Sequence, residues 1–291
     1  MERVDSNVVS RLDDKIIKGI VGDKLIGREI IIYEEVDSTN LVGKNLGRQE
    51  NSDGFVVIAN SQTMGRGRFS REWSSTCGGD IYLSIVIKPN FTPEKSSMLT
   101  ILAALSVNKS INKYINDNYN DNILGENIAK IESKIKWPND ITINGKKVCG
   151  ILTEISCMKD KIEYVVIGIG VNVNREIFHE GIQDTATSIY NEIGQIIDRN
   201  SLIADILINM NDYYKRFLLI GNLSNVVEEY NNNLVNYNNK VKVIQKEMDY
   251  TGTAIGINNE GGLLVRKDGE NDELVTIISG EVSVRGIYGY V

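Results

Sequence analysis

The 291-residue chain is predicted to be an α+β protein that ends in a small all-β unit. Two observations carry that expectation. Up to about residue 237, short strand-like runs are interspersed with segments whose apolar residues recur every three or four positions. From about residue 240 the helical period stops, and five short strand patterns follow in about 50 residues, as in a small barrel. A boundary near 238 therefore gives two units, 1–237 and 238–291, the first opening with a short helical extension over 1–27.

In chain order, Val8, Val9, Leu12, Ile16, Ile17 and Ile20 lie close to helical spacing and predict a helix over 8–20. Residues 29–33 and 55–59 read as strands, and 81–87 as a third, closed by Pro89. Leu99, Leu102, Leu105 and Ile111 share one face of a helix predicted over about 95–117. The polar, Asn-rich stretch 117–128 reads as a surface loop and looks like an insertion. Short strands follow at 133–137, 141–143, 147–156 and 162–171, with Asn144-Gly145 as a hairpin turn. Helices are predicted over 201–219, where Leu202, Ile206, Met210, Tyr213 and Phe217 repeat, and over 222–235. The closing strands are 242–244, 251–257, 262–265, 273–278 and 282–285, with Asn258 to Gly262 as a turn.

Composition narrows the function classes. Hydrophobic residues at 42% and charged residues at 24% fit an ordinary globular protein. The net charge of −7 argues against a sequence-independent nucleic-acid binder, which needs Lys and Arg to neutralise phosphates. Cys77, Cys149 and Cys157 are odd in number and form no CxxC pair, so neither a disulfide framework nor a structural zinc site is expected. Reduced thiols and the lack of an apolar core in Met1 to Ser6 point to the cytoplasm. The most apolar run, Tyr164 to Val173, falls well short of the ~20 residues of a spanning helix, so no membrane segment is expected. A single histidine, His179, sits in a polar stretch and reads as a solvated loop residue, which disfavours His-based catalysis.

Five segments have residue types suited to chemistry. Gln62 to Trp73 lies between two strands and holds Gly65, Arg66, Gly67, Arg68 and Arg71. Glycines admit close approach of a ligand to the backbone, and arginines give forked donors for carboxylate or phosphate. Trp73 offers a stacking surface, while the bland reading is a flexible basic loop. Lys136-Trp137-Pro138-Asn139-Asp140 joins two strands; Asp140 suits a hard cation such as Mg²⁺, although Pro-Asn-Asp is also a common turn. Lys147, at the head of a strand that continues through Gly150, either points into a cavity or faces water. Gly168-Ile169-Gly170 is a weak dinucleotide signal without a third glycine. Asp37-Ser38-Thr39-Asn40 reads as a helix N-cap, or as donors to a neutral polar ligand.

In their order along the chain these segments resemble the biotin–protein ligases, from about residue 28 to the end. The matching residues are Ser38-Thr39-Asn40, Gln62-Thr63, Gly65 to Arg68, Arg71, Trp73, Lys136 to Asp140, and Lys147 with Gly150-Ile151-Leu152. Gly168 to Asn172, Ala186-Thr187-Ser188 and Gly280 to Arg285 complete the set. The resemblance implies a mixed β-sheet with helices on one face, in a class II synthetase-like biotin–lipoate ligase fold, followed by an SH3-like barrel. It implies an enzyme that forms biotinyl-5′-AMP from biotin and ATP, with Mg²⁺, and passes biotin to a lysine of the biotin carboxyl carrier protein of acetyl-CoA carboxylase or a related carboxylase. By resemblance, Ser38, Thr39, Asn40 and Gln62 hold the biotin head group. Gly65, Arg66, Gly67 and Arg68, with Lys147 and Gly150, complete the biotin side. Arg66, Arg68, Arg71, Trp73, Asn139, Lys147, Asn172 and Arg285 serve the nucleotide, and Asp140 is the candidate for Mg²⁺. Arg68 and Lys147 are the expected catalytic pair.

Two positions depart from the family: Ser70 stands where glycine is usual, and Ser75-Thr76 where Ser-Pro is usual. Bifunctional members carry an additional N-terminal DNA-binding helix-turn-helix, for which residues 1–27 are too few, so no operator binding is expected. Family members pair edge to edge through the sheet, which leaves a homodimer open. The alternatives are a lipoate or octanoate ligase of the same superfamily, an RNA-binding module built on the Gly-Arg segment and barrel, and an inactive family member.

Overall fold

The computed structural model describes residues 10–119, 130–244, 249–269, 273–279, 283–286 and 291. Val8, Val9, most of the 117–128 loop and Gly280 to Val282 lie outside the described residues.

The larger sheet has seven strands in the order β1-β2-β3-β7-β6-β5-β4. Its strands are β1 (Glu29–Val36), β2 (Phe55–Gln62), β3 (Ile81–Ile87), β4 (Ser133–Lys136), β5 (Asp140–Ile143), β6 (Lys146–Met158) and β7 (Lys161–Val171). Only β1 and β2 pair in parallel, across the helix α2 (Thr39–Gly47); the other neighbours are antiparallel. The sheet is thus mixed, as expected. Central strands read as continuous apolar runs because both of their faces are covered. Val56, Leu83, Ile85 and Ile167 join the main core, which includes α3 (Ser96–Asn118) and α5 (Arg199–Ile220). The alternate positions Ser84 and Val166 meet α2 near Gly43 instead. The two long helices therefore cover one face, and the short α2 shares the other face with the cavity described below.

Helix ends explain where the sequence periods were misleading. The helix predicted over 8–20 is α1 (Asp14–Val21), starting later because the Asp13 carboxylate accepts from Lys15 N and Ile16 N at 2.9 and 3.0 Å. In place of a helix over 222–235 there is α6 (Val227–Asn233). Gly221, at φ +82°, ends α5, and Leu223 N–H is committed to Asn259 O at 2.9 Å. A five-residue helix, α4 (Ile189–Ile193), was not anticipated.

The second sheet has the order β11-β10-β9-β8-β12, all antiparallel. It comprises β8 (Lys240–Ile244), β9 (Tyr250–Ile257), β10 (Leu263–Lys267), β11 (Leu274–Ile277) and β12 (Ser283–Gly286). These are the five short strands the sequence predicted. Its Asn258–Gly262 turn rests on the first unit: Gly261 O accepts from the Trp137 indole at 2.9 Å. The turn carrying Asn139 and Asp140 is thereby tied to the barrel.

Candidate active site

One cavity of about 270 Å³ gathers most of the residues singled out in the sequence. It lies on the α2 side of the sheet, and its floor is β6 and β7. Gly150 and Gly170 face each other across these strands. A Cβ at either would come within 2.6–2.7 Å of the Trp73 indole, so the ring lies directly on a glycine floor. One register step along, a Cβ at Gly168 would collide with Asn40 Oδ1. Glycine recurs every second residue here because the side chains of one strand face must leave room.

The Thr39–Gln62 end of the cavity is uncharged and tied together. Ser38 sits at the N-cap position of α2, but its side chain makes no capping bond. Gln62 Oε1 accepts from Thr39 N at 2.9 Å and lies 3.2 Å from Thr39 Oγ1. Ser84 Oγ, fully buried, lies 2.8 Å from Thr39 Oγ1 and 2.6 Å from Asn40 Oδ1. Asn40 Nδ2 donates to Glu154 Oε2 at 2.8 Å and to Leu152 O at 3.3 Å.

The other end is cationic. Lys147 Nζ forms an ion pair with Asp140 Oδ1 at 2.7 Å and lies 5.3 Å from the centre of the Trp73 ring. Arg68 Nη1 donates to Asn139 Oδ1 at 2.8 Å. Burial lowers the Arg68 pKa, and the Asp140 charge opposes that shift. Lys136 is lowered to about 8, first by burial, with Asp140 opposing and the Lys147, Arg285 and Arg71 charges adding to it.

The arginine segment is a small hairpin. Arg66 bridges Glu72, Gly67 N donates to Arg71 O at 2.8 Å, and Trp73 N donates to Gly65 O at 2.9 Å. At its tip Phe69 and Ser70 both take positive φ, 57° and 58°. That backbone favours glycine, the residue the resemblance leads one to expect at position 70. At the other departure, Thr76 N–H donates to the Tyr82 hydroxyl at 2.9 Å, a bond proline could not make. Tyr82 belongs to a buried cluster in which Arg175 pairs with Asp80 at 2.7 Å and also reaches Ser74 O, anchoring the segment's exit.

Of the sequence candidates, Ser38, Thr39, Asn40, Gln62, Arg66, Gly67, Arg68, Arg71, Trp73, Asn139, Asp140, Lys147, Gly150 and Arg285 all line this cavity. Two do not. Gly65 lies just behind the wall, where a Cβ would strike Trp73 O and crowd Gln62 Nε2. Asn172 is buried and donates from Nδ2 to Thr187 O at 3.0 Å. It supports the β7 exit and is not part of the cavity wall. Lys136, Gly168 and Gly170 also line the cavity without having been assigned a role. The period of two in Gly168-Ile169-Gly170 was the available signal for the glycines. His179 is exposed, as expected.

Asp140 and Glu72 are the carboxylates lining the cavity, and no cluster of three or more His, Cys, Asp or Glu suited to a metal occurs among the described residues. This fits Mg²⁺ carried in by a nucleotide, which needs only one or two protein carboxylates.

Comparison with known proteins agrees with this arrangement. The model of the biotin/lipoate A/B protein ligase family matches residues 33–172, and that of the biotin protein ligase C-terminal domain matches 238–285. The bifunctional ligase/repressor BirA of Bacillus subtilis is 31% identical over 276 residues, covering 94% of this chain and 79% of that protein. The biotin–[acetyl-CoA-carboxylase] ligase of Mycobacterium tuberculosis is 27% identical over 282 residues, covering 93% and 95%. The structure of the Aquifex aeolicus biotin protein ligase in complex with biotin and ATP superposes with a TM-score of 0.71 at 28% identity, covering 89% of this chain and 99% of that one. The chain belongs to the biotin/lipoate A/B protein ligase family and, within it, to the biotin–protein ligases.

Proposed function

We propose that this chain activates biotin with ATP as biotinyl-5′-AMP and transfers the biotinyl group to a lysine of a biotin carboxyl carrier protein. The observation that carries this reading is a single cavity joining an uncharged, hydrogen-bonding end to a cationic end across a glycine floor. Such a cavity suits a neutral polar ring at one end and a carboxylate meeting a phosphate at the other.

The chemistry needs positioning and charge rather than a covalent enzyme intermediate. A carboxylate oxygen of biotin attacks the α-phosphorus, and the bond to pyrophosphate breaks. Arg68, Lys136 and Lys147 neutralise the charge that grows on the α-phosphate, and Asp140 orients the Lys147 ammonium. Asp140 would hold a Mg²⁺ entering with the nucleotide, and such an ion would supply charge stabilisation for the departing pyrophosphate. The carrier's lysine amine then attacks the carbonyl carbon of the anhydride; AMP leaves, and the amine loses a proton. The arginine hairpin covers the anhydride against water.

Lipoate is the poorer fit. Its dithiolane ring has neither N–H nor C=O, so Thr39 and Gln62 would be left facing it unpaired, at about 1–3 kcal/mol per buried group. We further read the protein as cytoplasmic and without operator binding, which the net charge of −7 and the three free cysteines support. No helix among the described residues is long and apolar enough to cross a membrane. Beyond Gly150, β6 pairs only with β7 among the described strands, which supports this edge as the place for the carrier or a second copy.

Intact-mass spectrometry of a biotin carboxyl carrier domain, incubated with the protein, MgATP and either biotin or lipoate, tests the function. One added biotinyl mass that depends on ATP is expected. A shift with lipoate alone would move the chain to the lipoate ligases, and none with either would favour the inactive reading.

A further inference from the structure

The uncharged end contains more polar groups than the cavity itself displays, and two of them lie outside its wall. Ser84 is buried beneath Thr39 and Asn40, and Glu154 stands on β6 beyond Asn40. Neither was singled out in the sequence. Their bonds fix which atoms of this end can donate and which can accept.

A carboxylate and a backbone carbonyl only accept hydrogen bonds. The Asn40 atom that faces both Glu154 Oε2, at 2.8 Å, and Leu152 O, at 3.3 Å, must therefore be its amide nitrogen. Asn40 Oδ1 is thus turned to Ser84 at 2.6 Å and takes the single hydroxyl proton of Ser84. With its own proton spent, Ser84 Oγ can only accept from Thr39 Oγ1 at 2.8 Å, and the other acceptor near that hydroxyl, Gln62 Oε1 at 3.2 Å, also lies within the wall, so the Thr39 proton is turned inward. Thr39 Oγ1 is left with lone pairs toward the cavity. On the other side, Gln62 Oε1 is held by the backbone N–H of Thr39 at 2.9 Å, so Gln62 has its amide nitrogen free to donate. The wall presents one acceptor beside one donor, the complement of adjacent N–H and C=O groups in a ring.

We propose that Glu154 is a positioning residue for substrate choice. Through Asn40 and Ser84 it sets the polarity of Thr39, so that this end takes a cyclic urea and refuses a ring without N–H and C=O. The inference rests on the biotin-ligase reading and deepens it. Glu154 suits the role because its second oxygen, Oε1, is paired with Lys44 Nζ at 2.6 Å, which holds the carboxylate in place. Its two oxygens serve Lys44 and Asn40 together. Glutamine has one oxygen, so Glu154→Gln must offer an N–H to one of these two donors: it either turns that N–H to Asn40 or gives up the Lys44 pairing that fixes the side chain, and both loosen the Asn40 orientation. Gly168 leaves the amide its room, since a Cβ there would overlap Asn40 Oδ1.

The test is a double-mutant cycle read by calorimetric binding of biotin and, separately, of ATP. Glu154→Gln and Ser84→Ala should each weaken biotin about tenfold, the scale of one lost buried hydrogen bond, with ATP affinity within about twofold of wild type. The double variant should lose little more than either single one, because both break the same chain. Native biotin affinity in Glu154→Gln, equal losses for biotin and ATP, or additive losses in the double variant would each overturn the proposal. The two partly exposed side chains, Glu154 and Lys44, make a folding failure of Glu154→Gln the less expected outcome. Should Ser84→Ala not fold, Lys44→Gln replaces it in the same cycle. Wild-type protein that binds no biotin would overturn the ligase reading itself, which separates the two failures.

Discussion

At the Thr39–Gln62 end of the cavity, each named side chain is held by another, from Lys44 through Glu154, Asn40 and Ser84 to Thr39 and Gln62. The Arg68–Lys147 end is assembled on another basis. Arg66, Arg68, Arg71, Lys136, Lys147 and Arg285 line it against Asp140 and Glu72, and several of the arginines stand on an exposed hairpin. The first end is complete before any ligand arrives, because recognising a neutral ring depends on the direction of each proton. The second carries an excess of positive charge that only a polyanion can balance, and the folded protein bears the cost of holding it. One end selects; the other is built for charge that appears during the reaction.

The sharpest way to break this comparison is to remove one cation from the second end. Lys147→Ala or Arg68→Ala should lose on the order of 2–4 kcal/mol of transition-state stabilisation, about thirty- to a thousandfold in adenylation rate. Single-turnover formation of biotinyl-5′-AMP measures it. The same variants should change biotin affinity far less than rate. Comparable losses in both would mean that the two ends are one binding surface without division of labour.

The cost of the cationic end should also be visible in pH. Lys136 has a folded pKa lowered from 10.5 to about 8, chiefly by burial. Between those values the folded state binds fewer protons than the unfolded state, so this group makes stability rise with pH across that window. Below it, the buried charge weighs on the fold in full. A bound triphosphate favours the charged form and lifts the pKa back. ATP binding between about pH 8 and 9 should therefore take up a proton, seen as a dependence of the calorimetric heat on buffer ionisation. Lys136→Met should abolish that dependence. Uptake that persists in the variant would assign the proton elsewhere.

The two ends also differ in how far they could be read from sequence. The cationic end was legible because its residues cluster in two short segments, 62–73 and 136–140, with Lys147 soon after. A dense run of Gly and Arg has few structural explanations. Lys136 escaped assignment because a strand lysine looks the same whether it faces water or a cavity. The uncharged end was read only as far as Ser38 to Asn40 and Gln62. Its outer supports, at positions 84 and 154, are brought to Asn40 by the β3-β7-β6 order of the sheet, and no local pattern announces a serine inside an apolar strand as a hydrogen-bond relay. Asn172 shows a related limit: its sequence context does not reveal that its side chain is bonded to Thr187 O and does not line the cavity. The fold was more legible than the site. Periodicity located the main strands and helices, but not α4, too short to show a period, nor the true start of α1, which a cap decides.

The smallest expected effect concerns the hairpin that covers the cationic end. Ser70 sits at φ +58°, next to Phe69 at +57°, in backbone that glycine adopts without cost. Ser70→Gly relieves one of the two strained positions, worth about 0.5–1 kcal/mol for the closed hairpin. It touches no residue of the uncharged end. Amide hydrogen exchange at Gly67, Arg71 and Trp73, whose N–H groups hold the hairpin together, should slow about two- to fivefold on that scale. Exchange in α2 should stay as it is, and free biotinyl-5′-AMP released during turnover should fall. Faster exchange at those three amides would show instead that glycine loosens the hairpin more than the relieved strain steadies it, and that serine there restrains the cover of the reacting end.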